Sequence, residues 1–264
     1  MRIIKAIYNF IRLAGIDIRA MVHFIISLPR YIYEILYFKI NTTKDWPITR
    51  LFPIFSDKKD EGGTASGHYF HQDLYFARKI YENKPRNHCD IGSRVDGFVA
   101  HVAVFRKIDV IDIRPISSII ENIEFVTADM MQLPNNLIAK YSSVSCLHAL
   151  EHFGLGRYGD PLNLNGFRQG FTNMAKLLDK NGIFYLSVPI GKQRIEFNAH
   201  RIFDHNTIID LGIKNNLELI NFDYVDDSGK LVELKLNNKT IGQFNSSELD
   251  YSCGLFTFKT KMNV

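Results

Sequence analysis

The sequence is poor in the residues that would tie it to a secreted or metal-built scaffold. It has three cysteines in 264 residues, Cys89, Cys146 and Cys253. They are far apart and odd in number, and none forms a Cys-x-x-Cys pair. That excludes a disulfide framework and the common zinc-ribbon spacings, and it predicts buried thiols in a reducing cytoplasm. The best candidate for a membrane span, Ala20 to Leu28, is far shorter than the ~20 residues a span needs, and His23 interrupts it. Pro29 and Arg30 follow it in place of a small-residue cleavage site, so neither a span nor a signal peptide is expected. The glycine run Gly62 to Gly67 lacks the Gly-Lys-Ser/Thr ending of a phosphate-binding loop.

Positive charge is also scarce where a nucleic-acid enzyme would need it. The net charge of +4 is concentrated at the N-terminus: residues 1–50 hold eight basic side chains and three acids (Asp17, Glu34, Asp45), and the rest is close to neutral. A nucleic-acid groove is lined with Lys and Arg, so nucleic acid is not expected as a partner. Residues 2–14 place Ile3, Ile4, Ile7, Phe10, Ile11 and Ala14 on one helical face, with Arg2, Lys5, Asn9 and Arg12 opposite. Tyr31 to Ile40 is rich in aromatics. Peripheral contact of residues 1–40 with the inner face of a membrane is one expectation; packing as a cap on the core or on another subunit is the alternative. Residues 41–67, with Pro47, Pro53, the charged run Asp57 to Glu61 and the glycines, read as a loop. The division is therefore 1–64, a helical extension and linker, and 65–264, the main domain.

In the main domain strands and helices alternate. Strands are expected at 88–91, 109–113, 124–128, 144–148, 183–188, 217–225 and 255–260. Helices are expected at 71–83, 97–106, 163–179 and 205–216, the third of them ended by Lys180-Asn181-Gly182. This predicts a doubly wound, mainly parallel seven-stranded α/β sheet, Rossmann-like, whose last two strands pair antiparallel.

Three acids stand at successive strand ends. Asp90 opens Asp90-Ile91-Gly92-Ser93, Asp112 follows Gly92 by twenty residues, and Asp129 precedes Met130. Ligands of such sheets sit at the carboxyl ends of the strands, where the strand order reverses. Glycine after strand one lets backbone approach a ligand closely. A carboxylate after strand two can accept hydrogen bonds from two ribose hydroxyls.

On these residues the stretch from His88 to Val188 resembles the class I S-adenosylmethionine-dependent methyltransferases. The resemblance implies that Asp90, Ile91, Gly92 and Ser93 form the glycine-rich first motif, that Asp112 and Ile113 hold the ribose, and that Asp129 and Met130 hold the adenine. Leu147 to His152 would border cofactor and acceptor, with His148 on the cofactor. Residues 217–260 resemble the family's final antiparallel hairpin. Gly67-His68-Tyr69-Phe70, Asp90 to Phe98 and Asp112-Ile113-Arg114-Pro115 look like a bacterial group known only as a domain of unknown function. One departure stands out: Arg94 occupies the place of the usual second glycine. It would crowd the methionine part of the cofactor or pair with its carboxylate.

The expected function is therefore S-adenosyl-L-methionine-dependent methyl transfer to a small-molecule or saccharide acceptor. Glu151, His152 and His200 are the candidate catalytic residues, since a base helps only where the acceptor carries a proton to be removed. A non-catalytic binding or scaffold protein on the same fold is the second reading. His148-x-x-Glu151-His152 also fits an inverted zinc-protease pattern. That pattern needs both histidines on one helix, whereas His148 follows a strand directly, so no metal is expected. The turn after strand one lacks the Gly-x-Gly-x-x-Gly of a nicotinamide dehydrogenase.

Overall fold

The computed structural model describes residues 2–55, 57–59, 62–234 and 238–261. The chain divides into two compact units, Met1–Thr64 and Ala65–Val264. The last two residues of the charged run Asp57 to Glu61 lie outside the described residues.

The first unit holds α1 (Arg2–Leu13) and α2 (Ile18–Asn41). The side chains that begin the apolar face of α1, Ile3 and Ile4, lie outside the described residues; Ile7, Phe10 and Leu13 are exposed. Asp17 caps α2, its carboxylate accepting from the Arg19 and Ala20 amides at 3.0 and 3.1 Å. With that cap the helix starts well before the aromatic stretch 31–40. Phe24 and Tyr31 meet Phe55 edge-on. No helix among the described residues is long and apolar enough to cross a membrane.

The second unit runs α3 (His68–Asn83), β1 (Cys89–Ile91), α4 (Ala100–Ala103), β2 (Ile108–Asp112), β3 (Ile123–Thr127), β4 (Tyr141–Leu147), α5 (Gly166–Leu177), β5 (Leu178–Ile190), β6 (Arg194–Glu196), β7 (His200–Ile202), α6 (His205–Lys214), β8 (Leu217–Val225), β9 (Leu231–Val232), α7 (Asn238–Gln243) and β10 (Ser252–Thr260). Eight strands form one sheet in the order β3-β2-β1-β4-β5-β10-β8-β9. The first five are parallel, and β10 lies antiparallel between β5 and β8. The sheet is thus the expected doubly wound type, with one more strand than expected, the two-residue edge strand β9.

Apolar side chains fill both faces. On one, Phe76 and Ile80 of α3 pack with Phe98, Val102, Val110 and Leu255. On the other, Phe171 and Met174 of α5 and Ile208 of α6 pack with Phe184, Leu186 and Phe256. Each such side chain contributes about 1.5–3 kcal/mol relative to exposure. From β1 the chain moves out to β2 and β3, then returns to β4 on the other side of β1. A crevice opens at the carboxyl ends of β1 and β4, where that order reverses.

Three local expectations are corrected. Gly182 does not end α5: the helix stops at Leu177, and Leu178 already pairs with Tyr141 of β4. Residues 179–182 fill the register shift that follows, and Asn181, at φ +67°, takes the left-handed conformation. The helix expected at 97–106 is a wide turn, Val95–Val99, followed by the single turn of α4, because Gly97 is non-helical at φ −118°, ψ −108°. A Cβ at Gly97 would collide with the Asp73 carboxylate. Lastly, His200 lies on β7 of a short hairpin with β6, between the strand expected at 183–188 and the helix expected at 205–216, where no strand was expected.

Candidate functional site

The crevice holds a cavity of about 320 Å³. Its walls come from the turn after β1, the ends of β2 and β3, and the segment after β4. Ile91, Gly92, Ser93, Asp112, Ile113, Asp129, Met130, His148 and His152 all line it. Asp90, Glu151 and His200 do not.

Asp90 shapes the first turn from beneath. It is fully buried, and its carboxylate accepts from the Ser93 amide (3.0 Å), the Ser93 hydroxyl (2.7 Å) and the Ser145 hydroxyl (2.6 Å). Burial raises its pKa to about 6 against those hydrogen bonds. Gly92 then turns at φ +66°, and a Cβ there would stand 3.1 Å from that of Ala149. Only glycine takes this conformation without strain. Arg94 lines the cavity, stacked on Tyr69 and forked onto Asp96 at 3.0 and 2.7 Å. Both partners of that ion pair are largely exposed.

Asp112 ends β2 with its carboxylate at the cavity but not free. Arg114 forks onto it at 2.9 and 2.8 Å, and the Arg114 amide donates to Oδ1 at 2.8 Å. The guanidinium also lies 4.5 Å from the centroid of Tyr158. Asp129 accepts from the Met131 amide at 2.8 Å, which fixes the turn after β3, and Met130 is buried in the wall.

A polar cluster lies where β4 ends. His148 has φ +53°, a left-handed conformation rare for a residue with a side chain. Its Nδ1 donates to Glu151 Oε1 at 2.8 Å, and its Nε2 is 3.0 Å from His68 Nδ1. Burial pulls the His148 pKa down, but Cys253 and Glu151 outweigh it and hold it well above the usual histidine range. Burial raises that of Glu151, and His148 more than reverses this. His68 is pushed down to about 4, by burial first and by His148 second. Glu151 has no exposed surface, so it supports His148 and His152 and cannot meet an acceptor directly. His152 reaches the cavity; its Nδ1 donates to the Ala199 carbonyl at 2.7 Å, and burial lowers its pKa. Leu150–His152 is a single 3₁₀ turn, and the two histidines of the His-x-x-Glu-His pattern are not presented by one helix.

Residues 106–248 match a family model described as Caenorhabditis protein of unknown function, DUF268. That stretch is more than half of the chain. The chain belongs to this family. The description does not confirm the bacterial grouping expected from the sequence. No curated protein matches the chain. Solved structures of the same fold include methyltransferases. One is the 1,6-didemethyltoxoflavin-N1-methyltransferase of Burkholderia thailandensis, with bound 1,6-didemethyltoxoflavin and S-adenosylhomocysteine, at 13% identity over 72% of this chain and 79% of that one, TM-score 0.52. Another, from Galdieria sulphuraria and named provisionally as a sarcosine dimethylglycine methyltransferase, is 11% identical over 72% of this chain and 85% of that one, TM-score 0.51. At such identity the likeness concerns the fold.

Several cavity residues of this DUF268 chain escaped sequence reasoning. Tyr158 and Asp160 line the wall from a segment outside the strand-end motifs, and Tyr69 does so from the quoted Gly67 to Phe70 stretch, to which no role was given. A Gly-x-Gly-x-x-Gly spacing does exist, at Gly154, Gly156 and Gly159, all with positive φ. It follows β4 rather than β1, and the Asp160 carboxylate already accepts from the Gly154 and Gly156 amides. His68 and Cys253 carried no local signal beyond the quoted Gly67-His68 stretch.

Proposed function

We propose that the cavity binds S-adenosyl-L-methionine and that the protein transfers its methyl group to a small-molecule or saccharide acceptor. The observation that carries this reading is that Gly92, Asp112 and Asp129, from three successive strand ends, meet on one cavity at the point of strand reversal. Asp112 would accept from the ribose hydroxyls, sharing its oxygens with Arg114 or releasing it. Asp129 and Met130 would border the adenine. Gly92 and Ser93 would let backbone lie close to the amino-acid part, and Arg94 would exchange Asp96 for its carboxylate. The bound sulfonium supplies an activated methyl group. Transfer by in-line displacement then depends mainly on aligning the acceptor atom. His152, at the cavity wall and with its pKa lowered by burial, would take a proton from the acceptor.

The near-neutral charge of residues 51–264 supports a substrate other than nucleic acid. The basic surplus of residues 1–50 and the exposed Ile7, Phe10 and Leu13 support peripheral contact of residues 1–40 with an anionic membrane face, in a cytoplasmic protein. A second reading, a non-catalytic binding protein, has one observation in its favour: Arg114 already occupies Asp112. Calorimetry with S-adenosylmethionine and S-adenosylhomocysteine tests both. Binding of either at micromolar concentration, with no binding of NAD, is expected; absence of heat from both ligands, on folded protein, would leave only the second reading.

A further inference from the structure

We propose that His68, His148 and Cys253 form a binding site for a divalent transition metal of the zinc class. The three come from the first turn of α3, the end of β4 and the start of β10, and only the fold brings them together. Their ligand atoms all lie within 4.8 Å of one another, with 3.0 Å between His68 Nδ1 and His148 Nε2. A tetrahedral zinc ion with its usual bond lengths would hold nitrogen and sulfur ligands about 3.3–3.6 Å apart. Small side-chain adjustments therefore suffice to admit the ion. Two imidazoles and a thiolate are the donor set that zinc prefers over calcium or magnesium.

The surroundings fit a metal better than they fit a bare cluster. Histidine ligands are oriented by a hydrogen bond from their other ring nitrogen to a carboxylate or a carbonyl. His148 has that bond to Glu151, at 2.8 Å, and the His68 ring packs against the Tyr251 ring with centroids 5.0 Å apart. Glu151 is fully buried, and its Oε2 has no partner among the described residues. A dication bound by the Cys253 thiolate, with the Glu151 carboxylate behind it, is electrically neutral, so the buried charges are compensated. The imidazole rings of His68 and His148 stack with centroids 5.1 Å apart. His148 keeps its left-handed backbone in this arrangement, a conformation typical of sites that direct a side chain.

The site differs from the His-x-x-Glu-His pattern read in the sequence, since His152 turns to the Ala199 carbonyl and takes no part. It also departs from the expectation that no metal is bound. Among the described residues the cluster supplies three ligands, which leaves the fourth tetrahedral position for water or for an acceptor heteroatom. Of the three ligands His148 alone lines the cavity; His68 and Cys253 do not. The inference rests on the cluster alone and not on the cofactor reading.

The test is metal analysis of the full chain purified without a metal column, followed by cobalt titration of chelator-treated protein. About one zinc per chain is expected, with a thiolate-to-cobalt charge-transfer band and tetrahedral d–d bands that zinc abolishes. Cys253→Ser and His68→Ala should lose the ion, while Cys146→Ser, at another buried cysteine, should keep it. Glu151→Gln should weaken zinc about 10–100-fold. Should the single-ligand variants fail to fold, the cobalt spectrum of the unaltered protein decides. Zinc far below one equivalent together with no charge-transfer band would overturn the proposal, as would a metal signal that survives in folded Cys253→Ser. Calorimetry with S-adenosylmethionine on the chelator-treated protein reports the cofactor reading separately.

Discussion

Replacing Asp112 by alanine should weaken S-adenosylmethionine sharply while leaving the fold intact. Two charge-assisted bonds to the ribose would each contribute about 1.5–3 kcal/mol. Arg114 already forks onto the same carboxylate, so ribose binding must displace or share it. Arg114 is about half exposed, and an ion pair of that kind is worth roughly 0.2–1 kcal/mol. With both bonds lost at the lower figure, less that offset, the net loss is about 2–2.8 kcal/mol, a factor of roughly 30–100. The same reasoning gives Arg114→Ala the opposite sign: binding unchanged or tighter by up to about fivefold. Calorimetry on both variants, with circular dichroism to confirm folding, measures the pair. A folded Asp112→Ala that binds within twofold of the parent would refute the ribose placement. So would an Arg114→Ala that loses binding as severely as Asp112→Ala, because the guanidinium would then be the ligand contact.

Gly92→Ala forces a side chain into φ +66° beside Ala149, which should cost about 1–2 kcal/mol of stability and weaken the cofactor further; an unchanged melting temperature would contradict the turn geometry. Buried His88, pushed down to about 3 by burial, is neutral in the fold and protonates on unfolding, so its contribution is lost as pH falls from about 6.5 toward 3. Asp90, raised to about 6, has the opposite sign: the fold holds its proton more tightly than the unfolded chain does, and stability from it grows as pH falls from about 6 to 4. Denaturant titrations at pH 4–6.5 should therefore show a steeper acid loss in Asp90→Asn than in the parent, by up to about 1.4 kcal/mol per pH unit; parallel curves would show that Asp90 is ionised in the fold. Membrane contact through residues 1–40 predicts that the full chain sediments with anionic vesicles and that Phe10→Glu with Leu13→Glu reduces this; equal sedimentation would exclude that surface.

Much of the fold could be read from the sequence because apolar runs of strand length alternated with helical stripes. The acids mattered for a second reason: a residue at a strand end has its position set by the strand. That is why Asp112, Asp129 and Gly92 fell on one cavity. Where position depended on packing, reading by pattern failed. Asp90 shares the motif with Gly92 but points into the sheet, held by Ser93 and Ser145. Glu151 was equally attractive as a base, yet it is enclosed by His148 and His152. Gly182 carried a helix-stop pattern, but pairing of Leu178 with Tyr141 had already drawn the chain into β5. The β6–β7 hairpin is three residues a side and largely polar, too short for periodicity to reveal. Cys253 faces His68 and His148 across most of the chain length, a proximity no local spacing encodes.

The most direct test of the central claim is where the cofactor sits. Met130 is in the cavity wall, with Asp129 and Met131. With methionine methyl groups labelled with carbon-13 and the Met130 signal assigned by Met130→Leu, titration with S-adenosylhomocysteine should shift the Met130 resonance, because the adenine ring would lie against it. A Met130 signal that does not move at saturating ligand would contradict the account.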